Sequence, residues 1–508
     1  MLPLVSQVTR SESPLGVGVE PRSEYQRGGV LYWCPSGPAT EPGKGQMGNL
    51  SFWGLADRAR EIHWSILMSE GIDDRLPAAM GGAPAFVQTA ETNKNFDRWQ
   101  QITEQEAQVA YDMTLRNELS GGTPVVREFE QRWREWVGTR FAITVINGTS
   151  AIHSAMFGLG VGPGDEVITP SYGWICSISP ALMLMARPVF CEIDPSTLLI
   201  DVEDARRRIT ERTRAIVAVH LWGNVCDMDA LMKLSEETGV KIIEDCSHAH
   251  GARYKGRSVG SIGHAGAWSL QGSKPVSAGE GGVIATDDVD VFERACLIGQ
   301  VNRKAGVDLV TERYKHLQPL GLGIKFRAHP LGIGLAAVQL QKLDELNRNR
   351  LAYVRALQEG LRPIKGLEPV TVYDGVEPAG LYALIFHYRP EHMEGLSRDQ
   401  FCNALSQEGI RAGGSPYKPM HTLPLFAKGF DIFTRGRGPL CTPEMGGDYP
   451  GYRPEDFPVT QATCDDLVNL PVLTDPTEGA VDQIVAAVRK VADHARQLAG
   501  AGARAPNG

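Results

Sequence analysis

From residue 141 onward, short apolar runs alternate with amphipathic helical patterns, and this alternation limits the fold more than any other feature of the chain. The runs lie at 141–146, 166–169, 188–193, 215–219, 240–243, 265–270 and 283–286, and stretches such as 227–237 between them carry apolar residues at helical spacing. Such a pattern predicts an α/β fold in which a mostly parallel, seven-stranded sheet is covered by helices. A long helix is expected from Leu331 to about Leu361. Beyond Pro363 a second mixture of strand and helix patterns runs to Ala499 and reads as a smaller C-terminal α/β domain.

The rest of the 508 residues is organised around that body. Residues 1–48 are rich in Gly, Pro, Ser and charge, with too little apolar surface to offset ordering entropy, and are expected to form a flexible tail. An extension over 49–94 holds one amphipathic helix, with Phe52, Leu55, Ala59, Ile62, Ile66 and Leu67 on its apolar face, followed by a looser link at 76–85. A capping box from Thr103 to Glu106 opens another helix. The large domain is expected over 95–330, the interdomain helix and small domain over 331–500, and a disordered tail over 501–508. A Gly-, Pro- and aromatic-rich loop at 428–458 is long enough to be functional or mobile.

Lys plus Arg number 51 against 60 Asp plus Glu, a net charge of −9, so nothing favours a nucleic-acid or anionic-membrane partner. Without a secretory leader or an apolar stretch long enough to span a bilayer, a cytoplasmic protein acting on small molecules is expected. The nine cysteines include no C-x-x-C pair, which argues against a disulfide framework or zinc ribbon.

In open α/β sheets ligands gather at the carboxyl ends of the strands. Asn147-Gly148-Thr149-Ser150 follows the first run and opens a helix, which makes either an anion cradle of amides and hydroxyls or a plain N-cap pair. Trp174 follows the next run and is placed either to stack on a flat ligand or to fill the core. The run at 240–243 ends in Glu244-Asp245-Cys246-Ser247-His248, and a carboxylate buried at a strand end needs a compensating cation or hydrogen bonds. Asp245, His248 and His250 are metal-ligand types, but two histidines two residues apart would not share a helix face, so no metal is expected. Lys274, in Gly272-Ser273-Lys274, either points into the same cleft as Asp245 or is a solvated loop lysine. Neither a P-loop nor a dinucleotide fingerprint is present, because Gly272-Ser273-Lys274 has the wrong order and Gly332-Ile333-Gly334 lies inside a helical pattern.

Read together, Gly148-Thr149-Ser150-Ala151, Gly162-Pro163-Gly164-Asp165-Glu166, Val219-His220-Leu221-Trp222-Gly223, Glu244-Asp245, His250-Gly251-Ala252, Tyr254-Lys255-Gly256-Arg257 and Gly279-Glu280-Gly281-Gly282 resemble the DegT/StrS family of sugar and cyclitol aminotransferases, over about 97–492. The resemblance implies a fold-type-I, pyridoxal 5'-phosphate-dependent enzyme. It implies that Lys274 holds the cofactor covalently, that Asp245 pairs with the pyridine nitrogen, and that Trp174 lies on the ring face. His248 would sit near the phenolic oxygen, with Thr149, Ser150 and Ser269 at the phosphate. Arg327 stands where many relatives place an asparagine that reaches the partner subunit's cofactor, and would clamp either that phosphate or a substrate carboxylate. The resemblance also implies a homodimer with shared sites, a glutamate or glutamine donor, and a keto-sugar or keto-cyclitol acceptor, in secondary-metabolite or glycan biosynthesis. Arg327, His329 and the 428–458 loop keep open another reaction of the same cofactor, and a non-catalytic regulatory protein on the same fold is a separate alternative.

Overall fold

In this computed structural model, residues 73–86, 102–436, 438–440, 449–474 and 476–502 are described. The expected N-terminal tail, the helix over 52–67, positions 441–448 of the long loop and residues 503–508 lie outside them, whereas 501–502, expected to begin a disordered tail, end a helix (Ala495–Gly502). The large sheet has seven strands: β1 (Phe141–Val145), β2 (Glu166–Pro170), β3 (Arg187–Cys191), β4 (Thr213–Val219), β5 (Lys241–Asp245), β6 (Ala265–Ser269) and β7 (Gly282–Thr286). Their spatial order is β1-β7-β6-β5-β4-β2-β3. Pairings from β3 through β6 are parallel, and β7 runs antiparallel to both of its neighbours.

These strands read as continuous apolar runs rather than alternating ones because both faces are covered. Helices α1 (Glu104–Leu115), α2 (Pro124–Val137), α3 (Gly148–Gly158), α4 (Met228–Thr238) and α5 (Val289–Gly299) flank the sheet in sequence. Trp133 of α2, Met156 of α3 and Trp268 of β6 are fully buried in one core, with the two indoles edge to face at 5.4 Å. The expected capping box at Thr103 and Glu106 opens α1.

Helix α6 (Pro330–Leu361) joins two cores: Ile333, Ala336 and Leu343 pack with the large sheet, and Tyr353, Leu357 and Leu361 with the small one. The small sheet is antiparallel, in the order β8 (Leu367–Pro369), β9 (Leu384–Tyr388), β10 (Leu467–Leu470), and is covered by α7 (Ala480–Asp493). The span 331–500 supplies both cores, since Met420, Phe426 and Phe457 are buried against the large one. The buried Glu192 carboxylate holds this returning segment by accepting the amides of Val459 (3.1 Å) and Thr460 (2.8 Å).

The link over 76–85 is strapped to the small domain. Buried Glu408 accepts the amides of Ala78 (2.6 Å) and Ala85 (2.7 Å), and Phe86 sits in the small core. No helix among the described residues is long and apolar enough to cross a membrane.

Candidate active site

A cleft of about 550 Å³ opens at the carboxyl ends of β1, β2, β5 and β6. Thr149, Trp174, Asp245, His248, Ser269 and Lys274 all line it, so six of the candidates scattered through the sequence converge. Two do not line the cleft of their own chain. The Ser150 amide is taken by the Asn147 cap at 2.8 Å, with its side chain buried in α3, whereas Arg327 lies beside Gly121 and donates to the Val301 carbonyl at 3.4 Å. His329 caps α6, accepting the Leu331 amide through Nδ1 at 3.3 Å.

Close backbone approach builds one wall. A Cβ on Gly148 would stand 2.7 Å from Ser269 Cβ and 3.0 Å from its Cα, so only glycine lets the first turn of α3 rest on the end of β6. The amino end of an eleven-residue helix, with its positive dipole end, thereby meets the Thr149 and Ser269 side chains.

The floor is the end of β5. Asp245 is 6% exposed, and its carboxylate accepts the Ser177 hydroxyl at 2.6 Å and the Ser247 amide at 3.1 Å. Ser247 Oγ in turn accepts the Ser269 amide at 3.1 Å, which ties the floor to the wall formed by β6 and the start of α3. The neighbouring Glu244 points into the core, where it accepts the amides of Gly260, Ile262 and Gly263 and meets His220 Nε2 at 3.0 Å. Glu244, His220 and Cys246 stand close enough to hold an ion, but these backbone donors already occupy the carboxylate. No helix forms at 246–252; the segment turns instead, and His250 packs edge-on against Trp133 at 6.0 Å.

Lys274 lies on the loop between β6 and β7. Burial pulls its amine down to about 8, against the opposing pull of the Asp245 charge. Burial and the Lys274 charge also hold His248 well below the usual imidazole range, so its ring is neutral at pH 7. His248 stacks on Tyr382 (4.2 Å, 12°) and on Trp222 (5.0 Å, 17°), and its Nε2 is 3.4 Å from the Tyr417 hydroxyl. Trp174, 53% exposed at the mouth, leans on Tyr417 at 5.3 Å.

Ser177 and Tyr382 were invisible to the sequence reading. Ser177 follows β2 in the same segment as Trp174, so proximity to a strand end was a usable signal. Tyr382 follows no strand of the large sheet and arrives only through the crossing of α6 and the small domain.

The donor set suits pyridoxal 5'-phosphate: a helix start with two hydroxyls for a phosphate, a buried carboxylate for a ring nitrogen, an aromatic for the ring, and a buried amine of lowered basicity for the aldehyde.

Known proteins agree with this geometry. Residues 100–434 match the model of the DegT/DnrJ/EryC1/StrS aminotransferase family. A Streptoalloteichus tenebrarius protein bearing the provisional name L-glutamine:3-amino-2,3-dideoxy-scyllo-inosose aminotransferase is 35% identical over 372 residues, covering 72% of this chain and 86% of that one. The L-glutamine:scyllo-inosose aminotransferase of Streptomyces griseus is 29% identical, covering 83% and 98%. Among solved structures, an aminotransferase from Psychrobacter cryohalolentis superposes with a TM-score of 0.67 at 27% identity, covering 78% of this chain and 98% of that one. On the family match, the cleft and the shared fold, this chain belongs to the DegT/DnrJ/EryC1/StrS aminotransferases, a family that depends on pyridoxal phosphate.

Proposed function

We propose that this aminotransferase moves an amino group from glutamine or glutamate to an uncharged polyhydroxy ketone, a keto-cyclitol rather than a nucleotide-linked keto-sugar. One observation carries the choice: among the described residues lining the cleft, Lys274 is the sole cation, and it stands with Asp245 and Glu280. A diphosphate calls for Arg or Lys partners, whereas hydroxyls and ring C–H groups suit Gln271 and Tyr417. The relatives named for scyllo-inosose amino transfer support the same acceptor class.

Bound pyridoxal phosphate supplies the electron sink that lets the donor lose its α-proton. The amides of α3 with Thr149 and Ser269 would hold its phosphate, Asp245 its ring nitrogen, Trp174 and His248 its ring, and Lys274 its aldehyde carbon. Lys274 Nζ, uncharged in part near pH 8, would be placed to take up the proton from the donor's α-carbon and to hand it back. Because the Asp245 carboxylate is held by Ser177 and Ser247, it presents a fixed negative charge and needs no reorganisation during the reaction.

We also propose that two chains pair beside this cleft. Leu320, Leu322 and Ile324 are 57%, 50% and 42% exposed on one short segment next to Arg327, an apolar patch that a second copy would cover.

The test is a two-step reaction on purified enzyme. Glutamine or glutamate bleaches the yellow cofactor band, and scyllo-inosose then restores it. Restoration by a nucleotide-linked 4-keto-sugar but not by the cyclitol would overturn the acceptor assignment. Light scattering of the same sample reads the pairing, expected at twice the chain mass.

A further inference from the structure

Tyr382 has no place in the chemistry described so far, yet it is among the most firmly braced side chains of the cleft. Its face receives Lys274 Nζ at 3.9 Å from the ring centroid. His248 stacks on it at 4.2 Å, and its hydroxyl is 2.7 Å from Ser273 Oγ, on the residue before Lys274.

Its backbone is equally constrained. Asn347 of α6 accepts the Gly380 amide at 3.0 Å, and Arg350 donates to the Leu381 carbonyl at 3.0 Å. Gly380 has φ +79°, and a Cβ there would stand 2.3 Å from the His248 carbonyl oxygen, so the segment is threaded directly against the β5 turn. The ring is thus aimed at one amine by contacts from β5, from the β6–β7 loop and from α6.

We propose that Tyr382 is a positioning residue: its ring face is the docking place for the Lys274 amine whenever that amine is not joined to the cofactor. The inference rests on Lys274 being the cofactor lysine. A lysine displaced by the amino donor has a long flexible stem and must stay within reach to carry a proton. An aromatic face holds a protonated amine through its quadrupole but offers no lone pair to compete for the proton, and the attraction grows when water is excluded. A carboxylate at that position would hold the ammonium too tightly to let it act as a base. The other titratable groups whose charges act on Lys274 are Asp245, Cys176, His248 and His250. Neither of the two histidines is charged near neutral pH, so Asp245 and Cys176 favour the ammonium through their charge and the Tyr382 face through its quadrupole.

The experiment uses the full chain freed of cofactor by dialysis after treatment with donor. Trace acetylation across pH 6–10, read by mass spectrometry of the Lys274 peptide, gives the titration of that amine. Tyr382→Phe keeps the face and should leave the midpoint within about 0.2 pH units of the parent. Tyr382→Leu removes the face and should lower the midpoint by about half a unit to one unit, a three- to tenfold change in protonation. If Tyr382→Leu does not fold, a series of increasingly fluorinated phenylalanines at this position keeps the ring shape and weakens the quadrupole without adding an ionisable group. The midpoint should then fall with each fluorine. A flat fluorine series, or equal shifts in the Phe and Leu variants, overturns the proposal. Borohydride reduction of the cofactor-loaded parent tests the underlying reading separately, since a pyridoxyl tag at Lys274 is expected whatever Tyr382 does.

Discussion

Ser177→Ala is the sharpest test of the floor of the cleft. Ser177 is 2% exposed, and its hydroxyl donates to Asp245 Oδ2 at 2.6 Å, one of two protein donors given to that carboxylate. A hydrogen bond to a charged group contributes about 1.5–3 kcal/mol. At about 1.4 kcal/mol per factor of ten, losing all of it in the transition state slows the reaction roughly 10- to 100-fold. The substitution removes one oxygen and leaves the Ser247 amide in place, so Asp245 keeps its backbone contact but loses the bond that fixes its second oxygen. Stopped-flow recording of the donor half-reaction over a range of glutamine or glutamate concentrations separates binding from chemistry. The limiting rate should fall by that factor, while the half-saturating donor concentration stays within about twofold. A limiting rate within twofold of the parent would show that Asp245 does not depend on Ser177 for its orientation, and the argument for a pre-set carboxylate would fail.

Gly148→Ala forces a methyl to within 2.7 Å of Ser269 Cβ and 3.0 Å of its Cα, so the α3 start and the β6 end must separate. Cofactor affinity, read by fluorescence quenching during reconstitution, should weaken by roughly tenfold or more, because the anion cradle needs both elements together; unchanged affinity contradicts the cradle. Burial holds His250 neutral, at about 3 against an ordinary 6.5. The unfolded chain therefore binds a proton that the folded chain refuses, and stability is lost as pH falls from 6.5 toward 3. Each pH unit in that window costs about 1.4 kcal/mol, so His250→Phe should gain on the parent by roughly 2–3 kcal/mol in denaturant unfolding between pH 6.5 and 4.5. A constant difference across that range would mean that His250 is charged in the folded state.

The part of the molecule most legible in the sequence is the large sheet. Every predicted run became a strand within about two residues of the expected ends, because strands covered on both faces must be continuously apolar and leave an unambiguous mark. The strand-end wall of the cleft was legible for a related reason. Thr149, Trp174 and Lys274 follow a large-sheet strand within about five residues, and Asp245 and Ser269 end one, so the strand-end rule brings all five to one cleft. The His250 ring shows the limit of that rule: it too follows β5, yet the chain turns there and the ring packs against Trp133 instead of facing the cleft. Local spacing cannot separate two such neighbours when no regular element sets their direction.

The wall carrying Tyr382 and Tyr417 is built differently, and this explains why the strand-end rule does not reach it. Tyr382 belongs to the approach to β9, and Tyr417 to the segment that leaves the small domain and returns to the large core through Met420 and Phe426. Their positions depend on how α6 sets the small domain against the large one, through contacts such as Asn347 with Gly380 and with the His250 carbonyl at 2.9 Å. No periodicity in residues 379–383 or 415–418 encodes that crossing. On the proposed reading, a cofactor wall fixed by local strand-end rules and an acceptor wall fixed by domain packing can change independently. Substitutions along 415–426 should therefore alter which ketone is accepted before they alter cofactor binding, whereas changes at 147–149 or 269 should do the reverse.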